Sequence, residues 1–470
     1  MTRTRWVAVS IFVAAFCYYA FLSSKTYTFA FASGDAGDWL AASTWWIVPQ
    51  PPGSPLYITL GHLLSALPGD LVVKMTIILS ALPATITVAV VFLIVKRRTE
   101  HTWAAVTASL VVLGATIFLS QAIVLEEYAL ATMFLTLALY AHTEHRTGLT
   151  ALFLGLGTAV HVTVLAVAVL WWIVSGRNEA RRTAKYIPIL VISGILPYAL
   201  ILWLMASDAP PLIAGYGLSL TVLREYLGTS SVAGTLTIVD FPVRLYDAVS
   251  VISVSFCAAA VPAVLWLVKK GEGLRKFVLA GVAFFLWYYL TSQDPTTWTY
   301  LTMVTPLVAV AAGEGTLLLS PHLRRILIAW LLVVVVINGI ALNQWNGAEQ
   351  WAAKAYDNVA ELPSRSAVIT ERGGSSAFTA FYAMTQGKDI VPIFVGDSVS
   401  SESYRNYTTW LRDRYGLVGS NDRDLIRAAG AQERTLYLQI ERWEYLDGLG
   451  LAPVFDTSPV GSIFAEVVIR

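Results

Sequence analysis

The sequence predicts an α-helical polytopic membrane protein of about eleven membrane helices, two of them a re-entrant hairpin, followed by a small C-terminal α/β domain. Three observations predict it. Of 470 residues, 56% are apolar and 13% charged, with a mean hydropathy of +0.63, whereas about a quarter of an average soluble domain is charged. Apolar runs of about 17 to 25 residues recur as far as Trp345, each long enough to cross about 30 Å of hydrocarbon as a helix. Finally, 28 of the 63 charged residues lie between Glu349 and Arg470, where no such run occurs. The boundary divides the chain into a polytopic membrane domain, 1–345, and an α/β domain, 346–470.

The expected spans are Trp6–Leu22, Leu71–Val95, Trp103–Leu119, Ile123–Ala141, Thr150–Val174, Ile187–Met205, Ala248–Val268, Phe277–Leu290, Tyr300–Leu319 and Ile326–Leu342. Basic residues between them set the orientation. With a cytoplasmic N-terminus, the inner segments hold 16 Lys and Arg and the outer ones four, Lys25, Lys74, Arg224 and Arg244, which is a strong positive-inside bias. Thr150–Val174 breaks the alternation, because Arg146 precedes it and Arg177, Arg181 and Arg182 follow it. Two short helices hinged around Gly155, Gly157 and His161 resolve this, provided their tip meets protein or water instead of lipid. The first loop, Lys25–Asp70, and the C-terminal domain then lie outside the cytoplasm. Arg3 and Arg5 before an apolar stretch also permit a cleaved secretory signal ending at Ala30-Phe31-Ala32.

Beyond Trp345 the pattern shortens. Ser366–Thr370, Asp389–Val395, Thr435–Ile440 and Ile463–Ile469 read as strands, and Ser376–Thr385, Ser401–Tyr415 and Asp422–Ala429 as helices.

Composition removes several function classes. A net charge of +1 leaves no basic excess to neutralise phosphates, so nucleic acid is not an expected partner. The two cysteines, Cys17 and Cys257, lie in apolar stretches and offer neither a disulfide framework nor a metal site. No metal-ligand spacing and no Walker or dinucleotide glycine motif occurs, so neither a metal nor a cofactor is expected.

The polar residues that remain gather on the outer side. The first loop carries Gly34-Asp35-Ala36-Gly37-Asp38 and then Gln50-Pro51-Pro52-Gly53-Ser54-Pro55-Leu56-Tyr57. Either Asp35 caps a helix with Asp38 in its first turn, or one of the two carboxylates is a general base acting on a hydroxyl at the water–lipid boundary. The prolines stiffen the turn into a helix at Leu56–Leu67. Glu126 and Tyr128 open the fourth helix, His161 sits at the hairpin tip, and Gln293-Asp294 closes another outer end. Ionisable groups at membrane depth default to functional roles; Glu127 reads as a solvated neighbour.

Together the acidic loop, Pro-Pro-Gly-x-Pro-Leu-Tyr, Glu-x-Tyr and Gly-x3-His-x-Thr resemble the transmembrane O-mannosyltransferase family related to the enzyme that modifies plexin-type ectodomains. That family belongs to the GT-C class of polyprenyl-phosphate-sugar-dependent glycosyltransferases. The likeness spans most of residues 1–415, including Ala367–Tyr415. Its Gly-Asp-Ser-Gly-Glu corresponds to Gly34–Asp38 and its His-Pro-Pro-Gly-Tyr-Pro to Gln50–Pro55, with departures at Ala36, Asp38, Gln50 and Ser54; Glu126, Tyr128, His161 and Thr163 match.

The resemblance implies inverting transfer of a mannose-like hexose from a polyprenyl-phosphate sugar to a hydroxyl on an extracytoplasmic protein, with Asp35 and Asp38 the catalytic pair and Asp35 the base. Gln50, Pro52, Tyr57, His62, Glu126, Tyr128, His161, Arg224, Arg244 and Arg372 are the expected substrate-binding residues. Arg372 precedes Gly373-Gly374-Ser375-Ser376, where a guanidinium and helix-end amides would meet an anion. A lipid or cell-wall glycan acceptor is the alternative within this chemistry; a transporter or an assembly subunit is the alternative outside it. The expected location is the plasma membrane, or the endoplasmic reticulum if the chain is eukaryotic.

Overall fold

The structure, a computed structural model, describes residues 3–25, 36–45, 54–174, 184–205, 256, 259–268, 278, 279, 281–286, 290, 295–348, 361–371, 389–395, 408, 409, 411–413, 415–439, 451–453 and 464–469. Helices α1 (Arg3–Leu22), α2 (Ala36–Trp45) and α3 (Pro55–Ser65) come first. Pro55 occupies the first turn of α3 after Ser54, where its missing N–H and preset φ cost nothing. Asp70 caps α4 (Leu71–Thr99), its Oδ1 accepting the Val72 amide at 2.7 Å.

Helix α4 is a single 29-residue span interrupted by a π-turn at Thr76–Ala81. The next span is not straight. Ala115 takes an extended conformation between α5 (Thr102–Gly114) and α6 (Thr116–Ala122), which meet at 66°. Residues 123–127 are non-helical, so α7 begins at Tyr128 (Tyr128–Thr143) instead of Ile123. Apolar content alone does not distinguish a helix from a buried turn, which is why the expected spans Trp103–Leu119 and Ile123–Ala141 ran through both breaks.

The hairpin is present as α8 (Thr147–Val160) and α9 (Thr163–Val174). Thr147 and Trp172, 25 positions apart, line one cavity, whereas a continuous helix would hold them about 37 Å apart. The chain therefore folds back at His161-Val162. Helix α10 (Ile187–Met205) packs on α8, and α11 (Ala260–Val268) follows. A 3-10 stretch, Pro295–Val304, leads into α12 (Thr305–Gly315), and α13 (Pro321–Ala348) ends the membrane part.

Among the described residues four helices are long and apolar enough to cross a membrane, Thr4–Leu22, Leu71–Thr99, Thr299–Leu318 and Pro321–Gln344, or five with the bent pair. The chain is a multi-pass membrane protein. The expected spans Ala248–Val268 and Phe277–Leu290 lie largely outside the described residues.

A mixed five-stranded sheet forms from β1 (Ser366–Glu371), β2 (Ile390–Val395), β3 (Thr435–Gln439), β4 (Leu451–Pro453) and β5 (Phe464–Ile469), in the order β2-β1-β3-β5-β4. β1 runs parallel to both β2 and β3, while β5 is antiparallel to β3 and β4. The strand β4, three residues long, had no alternating pattern to announce it. Before β3, α14 (Asp422–Ala431) buries Leu425, Ile426 and Ala429, and Asn421 Oδ1 caps it by accepting the Asp424 amide. The expected helix Ser376–Thr385 lies outside the described residues, as does most of Ser401–Tyr415.

Charge marks one end of the helical part. Arg97 meets Glu144 at 3.1 Å, joining the C-terminal ends of α4 and α7. Glu314, near the end of α12, bonds Arg98 through one oxygen and accepts the Trp266 indole N–H through the other at 2.8 Å. Arg324 of α13 covers the carbonyls of Thr316, Leu317 and Leu319 at 2.8–2.9 Å. Three of the loops assigned to the inner side by their basic residues are thus gathered at one end of the bundle. The loops bearing Glu126, His161 and Tyr300 lie at the opposite ends of α7, α8 and the Thr299–Leu318 span.

Candidate active site

Several separate stretches of chain converge at that second end. The turn 123–127 is held from two sides. The Ser24 amide donates to the Ile123 carbonyl at 2.7 Å, and Ser80 Oγ donates to the Glu126 carbonyl at 3.2 Å. Ser80 lies in the π-turn of α4, a local widening of the helix that recurs at functional sites. The turn carries two consecutive carboxylates, Glu126 and Glu127, both almost fully buried at 1% and 4% exposure. Burying one carboxylate is costly and burying two adjacent ones more so. Glu127 is therefore not the solvated neighbour that its sequence position implied.

The hairpin tip brings His161 to this turn. Its Nε2 lies 4.0 Å from Glu127 Oε1, and its Nδ1 is 2.7 Å from Thr163 Oγ1. Thr163 Oγ1 in turn contacts Met303 Sδ at 3.3 Å, tying the tip to the 3-10 stretch before α12. Tyr128, His161 and Tyr300 form a triangle of rings with centroids 5.0–5.5 Å apart, at the separation favoured by offset aromatic contacts. His161 retains some exposure, its side chain 12% accessible.

From the first loop, Tyr57 is fully buried, with its hydroxyl in electrostatic reach of Ser80, Glu126 and Glu127. Trp39 of α2 packs edge-on against the Tyr57 ring at 5.6 Å. Helices α2 and α3 are also joined where His62 Nδ1 donates to the Ser43 carbonyl at 2.8 Å, and where Gly61 leaves no room for a Cβ between Ser43 and Met75. That bond commits one face of the His62 ring to holding the two helices together. Asp38 precedes Trp39 on α2.

Of the sequence-chosen residues, the structure gathers Tyr57, Glu126, Tyr128 and His161 at one place, with Asp38 carried on the adjoining helix. Asp35, Gln50, Pro52, Arg224, Arg244, Gln293, Asp294 and Arg372 lie outside the described residues. Sequence reading passed over Trp39, Ser80 and Tyr300 and took Glu127 for a solvated neighbour. Glu127 had a signal, since a second consecutive acid in an apolar run is hard to solvate. Tyr300 had none, because an aromatic residue opening a span looks like any member of an interfacial belt.

Comparison with known proteins covers both the site and the fold. Residues 35–183 match the family described as Protein O-mannosyl-transferase TMEM260 N-terminal domain; the match begins at Asp35, takes in the gathered residues as far as the hairpin, and does not reach Ala367–Tyr415. No curated protein matches the sequence. Among solved structures, apo ArnT from Cupriavidus metallidurans superposes with a TM-score of 0.64 at 12% identity, covering 98% of each chain. ArnT of the same organism bound to undecaprenyl phosphate gives 0.64 at 10% identity, covering 99% of this chain and 98% of that one. A mycobacterial arabinofuranosyltransferase, AftD, gives 0.46 at 13% identity over 40% of its length. Residues 35–183 thus carry the O-mannosyl-transferase TMEM260 N-terminal domain pattern, and the chain around them has the fold of ArnT.

Proposed function

We propose that the protein is an integral membrane glycosyltransferase that moves a mannose-like hexose from a polyprenyl-phosphate donor to a hydroxyl on an extracytoplasmic acceptor protein, with inversion. The observation that carries this reading is the coincidence of the O-mannosyl-transferase family match at 35–183 with the cluster of Tyr57, Glu126, Tyr128 and His161. The capture of undecaprenyl phosphate by a protein of the same fold supports a lipid-phosphate donor.

In this reading Asp35 accepts the proton of the acceptor hydroxyl as its oxygen attacks the anomeric carbon. The bond from that carbon to the phosphate oxygen breaks from the opposite face, and polyprenyl phosphate departs. Positioned donors must meet the negative charge that grows on the leaving phosphate; Arg224, Arg244 and Arg372 are the candidates, together with Gln50 and His62, and Pro52 stiffens the turn that follows Gln50 in sequence. Glu126 and Glu127 accept hydrogen bonds from sugar hydroxyls, while Tyr57, Tyr128 and His161 wall the sugar. Asp38 assists Asp35 from the first turn of α2. The first loop and the α/β domain then face away from the cytoplasm.

Transfer from labelled polyprenyl-phosphate sugars by the purified wild-type chain, set beside Asp35→Asn, tests the proposal. Labelled product and free polyprenyl phosphate should form with wild type and be lost in a still-folded Asp35→Asn. Donor consumption by Asp35→Asn at the wild-type rate would remove Asp35 as the base, and consumption of no donor would remove the reaction.

A further inference from the structure

The end of the hairpin far from His161 carries a second site. At Gly155, α8 meets α10 backbone to backbone: a Cβ there would fall inside contact distance of Ser193 Oγ and the Leu190 carbonyl, and 3.1 Å from the Gly194 nitrogen. Close seams through small residues are how helices associate in lipid. Seven residues earlier a Cβ on Gly148 would sit 3.4 Å from the Tyr186 ring, so the helices touch again at their basic ends.

Between these two points, with α9 as the third wall, lies a cavity of about 290 Å³ lined by Ala151, Leu154, Leu165, Val169, Trp172 and Leu190. Polar groups enter only at one end, from Thr147 and Tyr186. Val169 and Trp172 remain 48% and 46% exposed, so the cavity opens sideways toward hydrocarbon. Its polar end is flanked by Arg146, next to Thr147, and by Lys185, whose Nζ lies 4.9 Å from the Tyr186 ring centroid. Arg146 and Lys185 are both exposed.

We propose that this cavity holds one acyl chain of an anionic phospholipid, with the headgroup phosphate between Arg146 and Lys185. Basic residues at the mouth of a cleft between membrane helices attract anionic headgroups, and a tyrosine suits the boundary where an apolar chain gives way to a wet phosphate. The cavity holds about ten water volumes, which suits part of an acyl chain and not a long polyprenyl tail. Its polar mouth, at Thr147, lies at the opposite end of the 14-residue helix α8 from His161, about 21 Å away, so the headgroup position is separate from the transfer site while the apolar wall reaches up to Leu165. The bound chain wedges α8 and α10 apart below their Gly155 seam.

The full-length protein, reconstituted and released for native mass spectrometry, is titrated with phosphatidylglycerol and, separately, with phosphatidylcholine. Wild type should retain phosphatidylglycerol about thirtyfold better, as two interfacial cations predict. The double variant Arg146→Ala/Lys185→Ala, altered only at exposed positions, should lose that preference, and Ala151→Phe, which fills the cavity, should weaken both lipids. Equal retention of the two lipids by wild type would reduce the site to ordinary boundary lipid and overturn the proposal. So would an undiminished preference in the double variant, or displacement of phosphatidylglycerol by equimolar polyprenyl phosphate. The readout is lipid retention, independent of any transfer activity.

Discussion

Gly155→Ala adds one methyl group where α8 touches α10. That methyl would overlap Ser193 Oγ and the Leu190 carbonyl oxygen and sit 3.1 Å from the Gly194 nitrogen. Two of these three atoms are backbone, so no rotamer change relieves them, and the seam must open by about 1 Å to restore ordinary van der Waals separation. Overpacking of this kind costs about 1–3 kcal/mol, and within lipid no hydrophobic gain offsets it. The displacement reaches function because α8 ends at Val160 and positions His161 directly. A 1 Å misplacement of a positioned group lowers turnover by up to about 10²-fold. The assay pairs heat-induced loss of soluble monomer in detergent with sugar transfer. The variant should melt earlier and turn over about 10- to 100-fold more slowly. Adding Ser193→Ala should restore only part of either property, since Leu190 and Gly194 still crowd the methyl. A Gly155→Ala protein that melts and transfers like wild type, or a double variant fully restored, would refute the close-seam reasoning.

Further outcomes follow from the site and from the charged end. Glu127→Gln keeps the shape of the buried side chain and removes the charge beside His161, so transfer should fall by at least about tenfold at an unchanged melting point; Glu144→Gln, at the opposite end of α7, should leave transfer intact. Tyr300→Phe should preserve the ring triangle and its packing, whereas Tyr300→Ala should destabilise by about 2–4 kcal/mol in chemical unfolding. Arg98→Ala should cost about 1–3 kcal/mol by leaving Glu314 with only the Trp266 indole. Glu314→Gln added to it should recover much of that, because the amide oxygen still accepts the indole N–H. If the double variant is less stable than Arg98→Ala alone, the charge of Glu314 is not what Arg98 balances.

Much of the membrane architecture could be read from one dimension. Long apolar runs flanked by basic residues predict α1, α4, α10 and α13 because a bilayer demands about 20 apolar residues per crossing. The conflict of charges around Thr150–Val174 predicts the hairpin, and alternation predicts β1, β2, β3 and β5. Where burial in protein replaces burial in lipid, the pattern fails. Residues 123–125 are as apolar as a helix yet belong to a turn, 123–127, because Ser24 and Ser80 satisfy its carbonyls from elsewhere in the chain.

The candidate site divides the same way. Asp35, Asp38, Glu126 and His161 were visible as ionisable residues that a membrane chain does not carry without reason, since each has a large transfer cost and stands near an expected span end, and Tyr57 and Tyr128 stood out through the motifs beside them. By itself, then, the sequence determined that the chain is a helical multi-pass membrane protein and pointed to titratable groups near the span ends. Only the tertiary structure decided that Glu127 is buried against His161, that Tyr300 completes the aromatic triangle, and that α8 and α10 close on Gly155 while parting below it. The physical reason is that transfer energies are written residue by residue, whereas burial of a charge, ring packing and backbone contact depend on partners tens to hundreds of positions away. His161 and Tyr300, 139 residues apart in sequence, have ring centres 5.0 Å apart.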